Sequence, residues 1–323
     1  MNTKTEKLRR VLFKANWSYL VLIVMILATF LIMSLTTRNF LSAANINVMV
    51  NNFIMEAIMA LGMTMVIITG GSDISISGVL PFTAIMFAYM MLWGVPVPVA
   101  FVLGIAMGGV IGLANNWLRR VLHIHPMIVT MAMQLTLKGL NLAITGGSVI
   151  SGLPEAFNGL ANFRPLGISL AIWIYAVLAV FFLVFSKKNR LFLKVFFVGG
   201  NVEASRLSGM KTENVLRFVY VVNGLLAGLA GVLSTAVYSS ASYSYGQNVE
   251  MKVITAVAIG GTSMTGGRGS IIGTLAGVLL LGVINNALNL LGVDANMQNV
   301  ARGLIIMIAI ILDAIRIRID KDS

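Results

Sequence analysis

Residues 97–120 read VPVAFVLGIAMGGVIGLANNWLRR. From Val97 to Leu118 no side chain is ionisable. As a helix rising ~1.5 Å per residue, this run reaches about 33 Å, matching the ~30 Å hydrocarbon core of a bilayer. It stops at Arg119 and Arg120, cations that belong in water or among headgroups. Gly104, Gly108 and Gly112 recur every fourth residue, a ladder that lets a second helix approach closely. The segment reads as a membrane-spanning, tightly packed helix.

Runs of the same kind extend in both directions. Segments near the required length fall at roughly 17–37, 47–69, 74–93, 97–118, 125–145, 167–186, 215–237, 249–264, 270–291 and 299–316. This predicts an all-α integral membrane protein of about ten transmembrane helices, with residues 1–323 as a single transmembrane domain. Very short Gly-rich turns join the second span to the third and the eighth to the ninth. Whether those spans are broken, half-length or full rods stays open at this stage. Met1–Lys14 is polar and basic, and the apolar run after it is too long for a signal-peptide core and lacks a small-residue cleavage site. The expectation is a retained first helix behind a cytoplasmic segment 1–16.

Charge placement tests the threading. With the N-terminus inside, all but five of the 23 basic residues fall in inside segments; the exceptions are Arg38, Lys138, Arg164, Lys252 and Arg302. Such a bias sets orientation during insertion, so both termini are expected in the cytoplasm. The net charge of +12 then marks the cytoplasmic side of a membrane protein and calls for no nucleic acid. Composition agrees: 58% of residues are hydrophobic and only 11% charged, against about 25% charged in soluble domains. With a mean hydropathy of +0.92, the chain holds more apolar surface than one water-soluble core could hide.

Several chemistries are excluded. The chain has no cysteine, hence no disulfide, thiolate nucleophile or Cys-based metal site. The only histidines, His123 and His125, stand beside Arg119 and Arg120 and read as interfacial, not as metal ligands. No intramembrane serine–histidine pair exists, so a membrane hydrolase lacks its base. Gly260–Ser270 is rich in glycine but lacks the Gly-Lys-Ser/Thr ending of a phosphate loop and has no preceding strand. If ATP drives this protein, another polypeptide hydrolyses it.

The polar residues inside apolar surroundings are the candidate path. Thr69-Gly70-Gly71-Ser72-Asp73-Ile74-Ser75-Ile76-Ser77-Gly78 places a carboxylate among hydroxyls where two glycines release the chain from helix. Asp73, Ser72 and Ser75 could face a cavity, or Asp73 could cap the third helix with Ser75 helping. Glu56 and Lys138 lie at similar depth and are a candidate ion pair, with snorkelling or a wet cavity as the alternative. Asn51, Asn52, Asn115, Asn116, Gln134, Asn285 and Asn286 are neutral hydrogen-bonding groups. They suit an uncharged polyhydroxylated solute and equally suit helix adhesion. Gly112–Leu118 (GLANNWL) echoes Gly282–Leu288 (GVINNAL) in a span of opposite direction, as an inverted-topology repeat predicts.

The inside loop 187–214 is basic, and Val198-Gly199-Gly200-Asn201-Val202-Glu203-Ala204-Ser205-Arg206-Leu207-Ser208-Gly209-Met210 predicts a short amphipathic helix bracketed by glycines. A rigid peg of this kind could transmit motion from a soluble partner. Its spacing resembles the coupling-helix signature Gly-Gly-Asn-x-x-Ala-x-x-Leu-Ser-Gly of permeases in bacterial ABC monosaccharide importers. Gly70–Ser77 resembles that family's Gly-Gly-Ile-Asp-Leu-Ser-Val motif. Ala258–Thr274 and Asn285–Val293 are similar to its C-terminal signatures. The resemblance covers residues from about 45 to 315 and is specific to the ribose/galactose/xylose-type permeases, which include autoinducer-2 permeases. Ser72 departs from the usual branched aliphatic residue, and Ser77-Gly78-Val79 replaces the usual Gly-Ser.

The resemblance implies a type II-like importer permease bundle in the bacterial inner membrane. Two permease copies, identical or sister chains, would pair above two cytoplasmic ATP-binding subunits that use ATP and Mg. A periplasmic or lipid-anchored solute-binding protein would dock on outside loops near 146–166 and 238–248. Gly199, Gly200, Asn201, Glu203, Ala204, Arg206, Leu207, Ser208 and Gly209 would form the coupling contact. Asp73, Ser72, Ser75, Asn52, Gln134, Asn115 and Asn285 would be candidates for the path. The chain would bind no cofactor of its own and do no covalent chemistry. The rival reading is an ion-gradient-driven secondary transporter with Asp73, Glu56 and Lys138 as relay.

Overall fold

In the computed structural model, residues 22–294, 296–301, 303, 304, 307 and 311 are described. Their regular structure is helical, apart from one isolated antiparallel bridge between Ile150 and Ala241. In chain order the helices are α1 (Leu22–Thr36), α2 (Ala43–Ile68), α3 (Ile76–Leu92), α4 (Val97–Leu122), α5 (Pro126–Thr145), α6 (Glu155–Ala161), α7 (Leu170–Lys188), α8 (Arg190–Gly200), α9 (Val202–Leu207), α10 (Thr212–Tyr238), α11 (Val249–Ile259) and α12 (Ile271–Leu290). A 3-10 turn at Pro165–Gly167 precedes α7. Six of these, α2, α4, α5, α7, α10 and α12, are long and apolar enough to cross a membrane; α1 and α3 are shorter apolar helices.

The eighth expected span, 249–264, is not a full rod. Its helix, α11, has 11 residues, about 16 Å at ~1.5 Å per residue and half the hydrocarbon thickness. Gly260 and Gly261 end it, and the chain turns through 262–270 into α12. The tenth expected span and the segment 1–16 lie mostly or wholly outside the described residues.

Burial sorts the helices into an inner and an outer set. In the most apolar stretch of α2, 83% of residues are buried, against 11% in α7. The less apolar α2 (mean hydropathy 1.6) is enclosed by other helices, whereas the more apolar α7 (2.2) offers Val177, Val180 and Phe181 to its surroundings, as lipid as the outer solvent allows. The close approach of α4 to the inner helix α10 is set by the glycine ladder. A Cβ at Gly108 would overlap the carbonyl of Gly224, and one at Gly112 the carbonyl of Tyr220. Without side chains at these positions the backbones touch, and dispersion over the whole seam holds the pair. Gly277 plays the same part between α12 and Ala256 of α11.

Contacts define the two ends of the bundle. At one end lie the C-termini of α2 and α4, the N-terminus of α10, the helices α8 and α9, and the 260–270 turn. An Arg119–Glu213 ion pair of 2.7 Å joins α4 to α10 there. At the other end, the 146–154 segment meets 239–248 through the Ile150–Ala241 bridge.

The short glycine-bracketed helix expected within 198–210 is α9, between Gly200 and Gly209; a second helix, α8, precedes it and meets it at Asn201, whose backbone is extended (φ −161°, ψ 105°). α8 runs through Gly200, since neither Gly199 nor Gly200 takes a positive φ there, and Asn201 then starts α9.

Candidate functional site

A cavity of about 580 Å³ opens between α2, the C-terminal part of α10, residues 244–252 and α12. Asn52 and Glu56 project into it from successive turns of α2, and Asn285 and Asn286 from α12. Tyr238, Tyr245, Lys252, Asn289 and Gln298 are also part of the polar wall. The Lys252 ammonium lies 2.7 Å from Oε1 of Glu56, so the two charges cancel locally. Tyr238 donates its hydroxyl to Oδ1 of Asn52 at 3.2 Å. Asn45 and Asn286 exchange amide hydrogen bonds of 3.0 and 2.8 Å, joining α2 to α12 at the cavity rim. Amides, phenols, hydroxyls and a neutralised ion pair give a lining that donates and accepts but carries no net charge.

The candidate pairing of Glu56 with Lys138 is therefore not formed; Glu56 pairs with Lys252 on the cavity wall. Lys138 sits half-buried on α5 and takes part in no ion pair among the described residues. Depth along the helix put both residues at one level, but helix rotation turns Glu56 toward α11.

The candidate path residues separate into two groups. Asn52 and Asn285 line the cavity. Asp73, Ser75 and Asn115 instead form a buried node between α3, α4 and α10, away from that lining. Ser75 donates its amide (3.0 Å) and hydroxyl (2.6 Å) to Oδ1 of Asp73. Asn115 donates to the Ser75 hydroxyl at 2.8 Å, and Asn223 of α10 donates to Oδ2 of Asp73 at 2.9 Å. Asp73 is not itself the helix cap: Ser75 occupies the N-cap of α3, and the carboxylate closes the turn before it. Ser72 contributes its carbonyl to the Thr130 hydroxyl at 3.4 Å. Gln134 links α5 to α3 and α11 by donating to Ser77 (2.6 Å) and to Oε1 of Glu250 (2.8 Å). The carboxylate is held directly by Ser75 at the start of α3 and by Asn223 of α10, with Asn115 of α4 reaching it through the Ser75 hydroxyl, so that breaking one member leaves a buried acceptor unpaired.

Three polar residues were missed from sequence. Asn223 stands amid an apolar run; Lys252 is one of the five basic residues outside the inside segments; Tyr238 ends a span. The one available signal was the ionic pair Glu250/Lys252 inside an apolar segment.

The second candidate site is the α8–α9 elbow. Oδ1 of Asn201 accepts from the Ala204 amide at 2.9 Å, capping α9, and the Ser205 hydroxyl anchors α9 to the Phe197 carbonyl at 2.9 Å. Glu203, Ala204, Arg206, Leu207, Ser208 and Gly209 are exposed, with Leu207 79% accessible. Glu203 and Arg206 form a surface ion pair of 2.7 Å, a contact worth little to stability. Gly199 faces inward: a Cβ there would overlap the Ile68 carbonyl and lie 2.8 Å from the Gly267 nitrogen. Gly200, its neighbour, has open space around it.

The histidines serve the α4–α5 turn. His123 ends α4 in the left-handed region (φ 53°), and Nδ1 of His125 accepts from the Met127 amide at 3.3 Å. Among the described residues, no three His, Asp or Glu side chains gather as metal ligands.

A family described as branched-chain amino acid transport system / permease component matches residues 45–310. The chain is 34% identical over 317 residues to the ribose import permease protein RbsC of Escherichia coli K12, covering 97% of this chain and 99% of that one. It is 35% identical to RbsC of Bacillus subtilis, with 88% of each covered. It is 29% identical to the autoinducer 2 import system permease protein LsrD of Enterobacter sp. 638, with 92% of each covered. No solved structure matches it.

Proposed function

We propose, for a chain that belongs to the branched-chain amino acid transport system / permease component family, that it carries a monosaccharide or related small polyhydroxylated solute across the bacterial inner membrane. The observation that carries this reading is the cavity between α2, α10 and α12, whose lining is polar yet uncharged in sum. Each sugar hydroxyl both donates and accepts, and amide and phenol side chains can answer both roles. A charged solute would meet no uncompensated counter-charge there.

Two such chains would pair, with two ATP-binding subunits against the basic end, which faces the cytoplasm. A solute-binding protein would dock at the other end, where the Ile150–Ala241 bridge ties the 146–154 segment to 239–248 and offers one joined platform. The full bundle comprises about ten spans of the larger importer type, with α11 as a half-length element. The inverted repeat is supported by a close neighbour at the first glycine of each copy, the Tyr220 carbonyl of α10 at Gly112 and the Phe53 side chain of α2 at Gly282.

The mechanism is alternating access. ATP-driven closure of the partner subunits presses the exposed tip of α9. Because Gly199 abuts Ile68 and the 266–267 turn, that displacement reaches α2 and α12 directly, and both line the cavity. The geometry counts against the gradient-driven relay, since Asp73, Glu56 and Lys138 belong to three different environments and make no continuous chain. The test is uptake of labelled pentoses into vesicles holding the chain with its co-purified ATPase. Uptake that needs ATP and persists under a protonophore is expected. Uptake driven by an imposed ion gradient without ATPase would overturn the importer mechanism.

A further inference from the structure

We propose that the groove between α4 and α10 at the basic end is a binding site for an anionic phospholipid of the cytoplasmic leaflet. The groove holds about 430 Å³ and is lined by Val110, Leu113, Ala114, Asn116, Trp117 and Arg120 of α4 and by Arg217 of α10. The spacing 110, 113, 114, 117 puts these residues on one face of α4. From Val110 to Arg120 the helix rises about 15 Å, enough to lie along much of one acyl chain. The trough is therefore apolar for most of its length and cationic at its end.

The charges at that end are not consumed by the protein. Arg119, one residue earlier, is engaged by Glu213 (2.7 Å) and Asn116 (3.2 Å). Arg120 is exposed with no hydrogen-bonded partner among the described residues, and Arg217 makes only a neutral contact of 3.2 Å with Asn214. No acidic residue lines the groove. Two guanidiniums beside an apolar trough match a phosphodiester with its chains, and guanidinium geometry suits phosphate oxygens. Trp117, 58% exposed, is the type of residue that settles at headgroup depth. A second copy of the chain fits this surface less well. Its own face would bring Arg120 and Arg217 to the contact with no carboxylate to answer them.

The inference rests on the basic end facing the cytoplasm, and that premise is read separately. The chain has no cysteine, so a Ser208→Cys variant can be probed with a membrane-impermeant maleimide in intact cells; labelling there would overturn the orientation and with it this site. The lipid test itself needs neither ATPase nor solute, so the transport reading stands or falls apart from it. The full chain, purified in detergent, is titrated with dioleoyl phosphatidylglycerol or dioleoyl phosphatidylcholine, and retained lipid is counted by native mass spectrometry. Phosphatidylglycerol is expected to be retained in preference by roughly tenfold. The double variant Arg120→Gln/Arg217→Gln is expected to level the two lipids, and Val110→Trp, which fills the trough, to lower retention of both. Equal retention by the parent, or a preference that survives the double variant, overturns the proposal. Competition by glycerol phosphate as strong as by the whole lipid would reduce the site to a phosphate contact. A change of oligomeric mass in the double variant would assign the face to a second copy instead.

Discussion

The amide of Gly267 donates to the carbonyl of Ile68 over 2.8 Å, tying the turn between α11 and α12 to the last residue of α2. Gly199 of α8 is wedged against the same carbonyl. Three segments far apart in sequence thus meet backbone to backbone, and the elbow bearing α9 rests on that junction. A displacement of the elbow has no side-chain layer to absorb it.

Gly199→Ala is expected to abolish coupled uptake while the chain still inserts. Its Cβ must displace the Ile68 carbonyl or the 266–267 turn, a strain of about 1–3 kcal/mol. Gly200→Ala, one residue on and facing open space, is expected to transport like the parent. Vesicle uptake by the two variants, side by side, checks this; equal behaviour would remove the junction from the coupling route.

Asn201→Ala removes the N-terminal side-chain cap of the six-residue α9, a loss of about 1 kcal/mol. So short a helix is expected to fray, weakening co-purification of the ATPase subunit. Asn201→Asp, which restores an acceptor, is expected to recover it. Glu203→Arg breaks the exposed Glu203–Arg206 pair, a contact worth little to stability, and is expected to lose the partner with little change in thermal unfolding; Gly209→Trp also strains a backbone held at φ 79° and is expected to lower both partner retention and thermal stability.

Glu56 and Lys252 are expected to couple by roughly 1–2 kcal/mol in a double-mutant cycle of Glu56→Gln and Lys252→Met, read from thermal unfolding in detergent. Both side chains are partly wetted by the cavity, which keeps the figure below that of a dry pair. Glu56→Gln with Lys138→Met is expected to be additive within about 0.5 kcal/mol. The reverse result would restore the pairing suggested by depth alone.

Asn223→Ala strips a hydrogen bond from the buried carboxylate of Asp73 and is expected to cost about 1–3 kcal/mol of stability. Solute affinity should hardly change, because the node lies off the cavity. Asn52→Ala is expected to do the opposite, lowering solute affinity with little effect on unfolding. Binding of a labelled pentose and a melting curve, measured on both variants, separate a fastening role from a path role.

The amino-acid sequence by itself determined the helical membrane character and the place of most apolar segments. Those follow from quantities local to a segment: the length of an apolar run, the placement of Arg119 and Arg120 at its end, and the glycine spacing that announced α4's close neighbour. It also marked Asp73, Asn52 and Asn285 as polar where polarity is costly. Only the tertiary structure decided which of them face the cavity. A polar side chain in an apolar helix satisfies its hydrogen bonds either with a neighbouring helix or with a solute, and the sequence reads alike in both cases. Helix rotation chose for each residue: Asp73 turned to Asn223, Glu56 to Lys252 and not Lys138, while Asn52 stayed on the wall. The extension of α8 through Gly200 was likewise not legible, because a pair of glycines signals the end of a helix, and only the backbone contact at Ile68 requires the first of them.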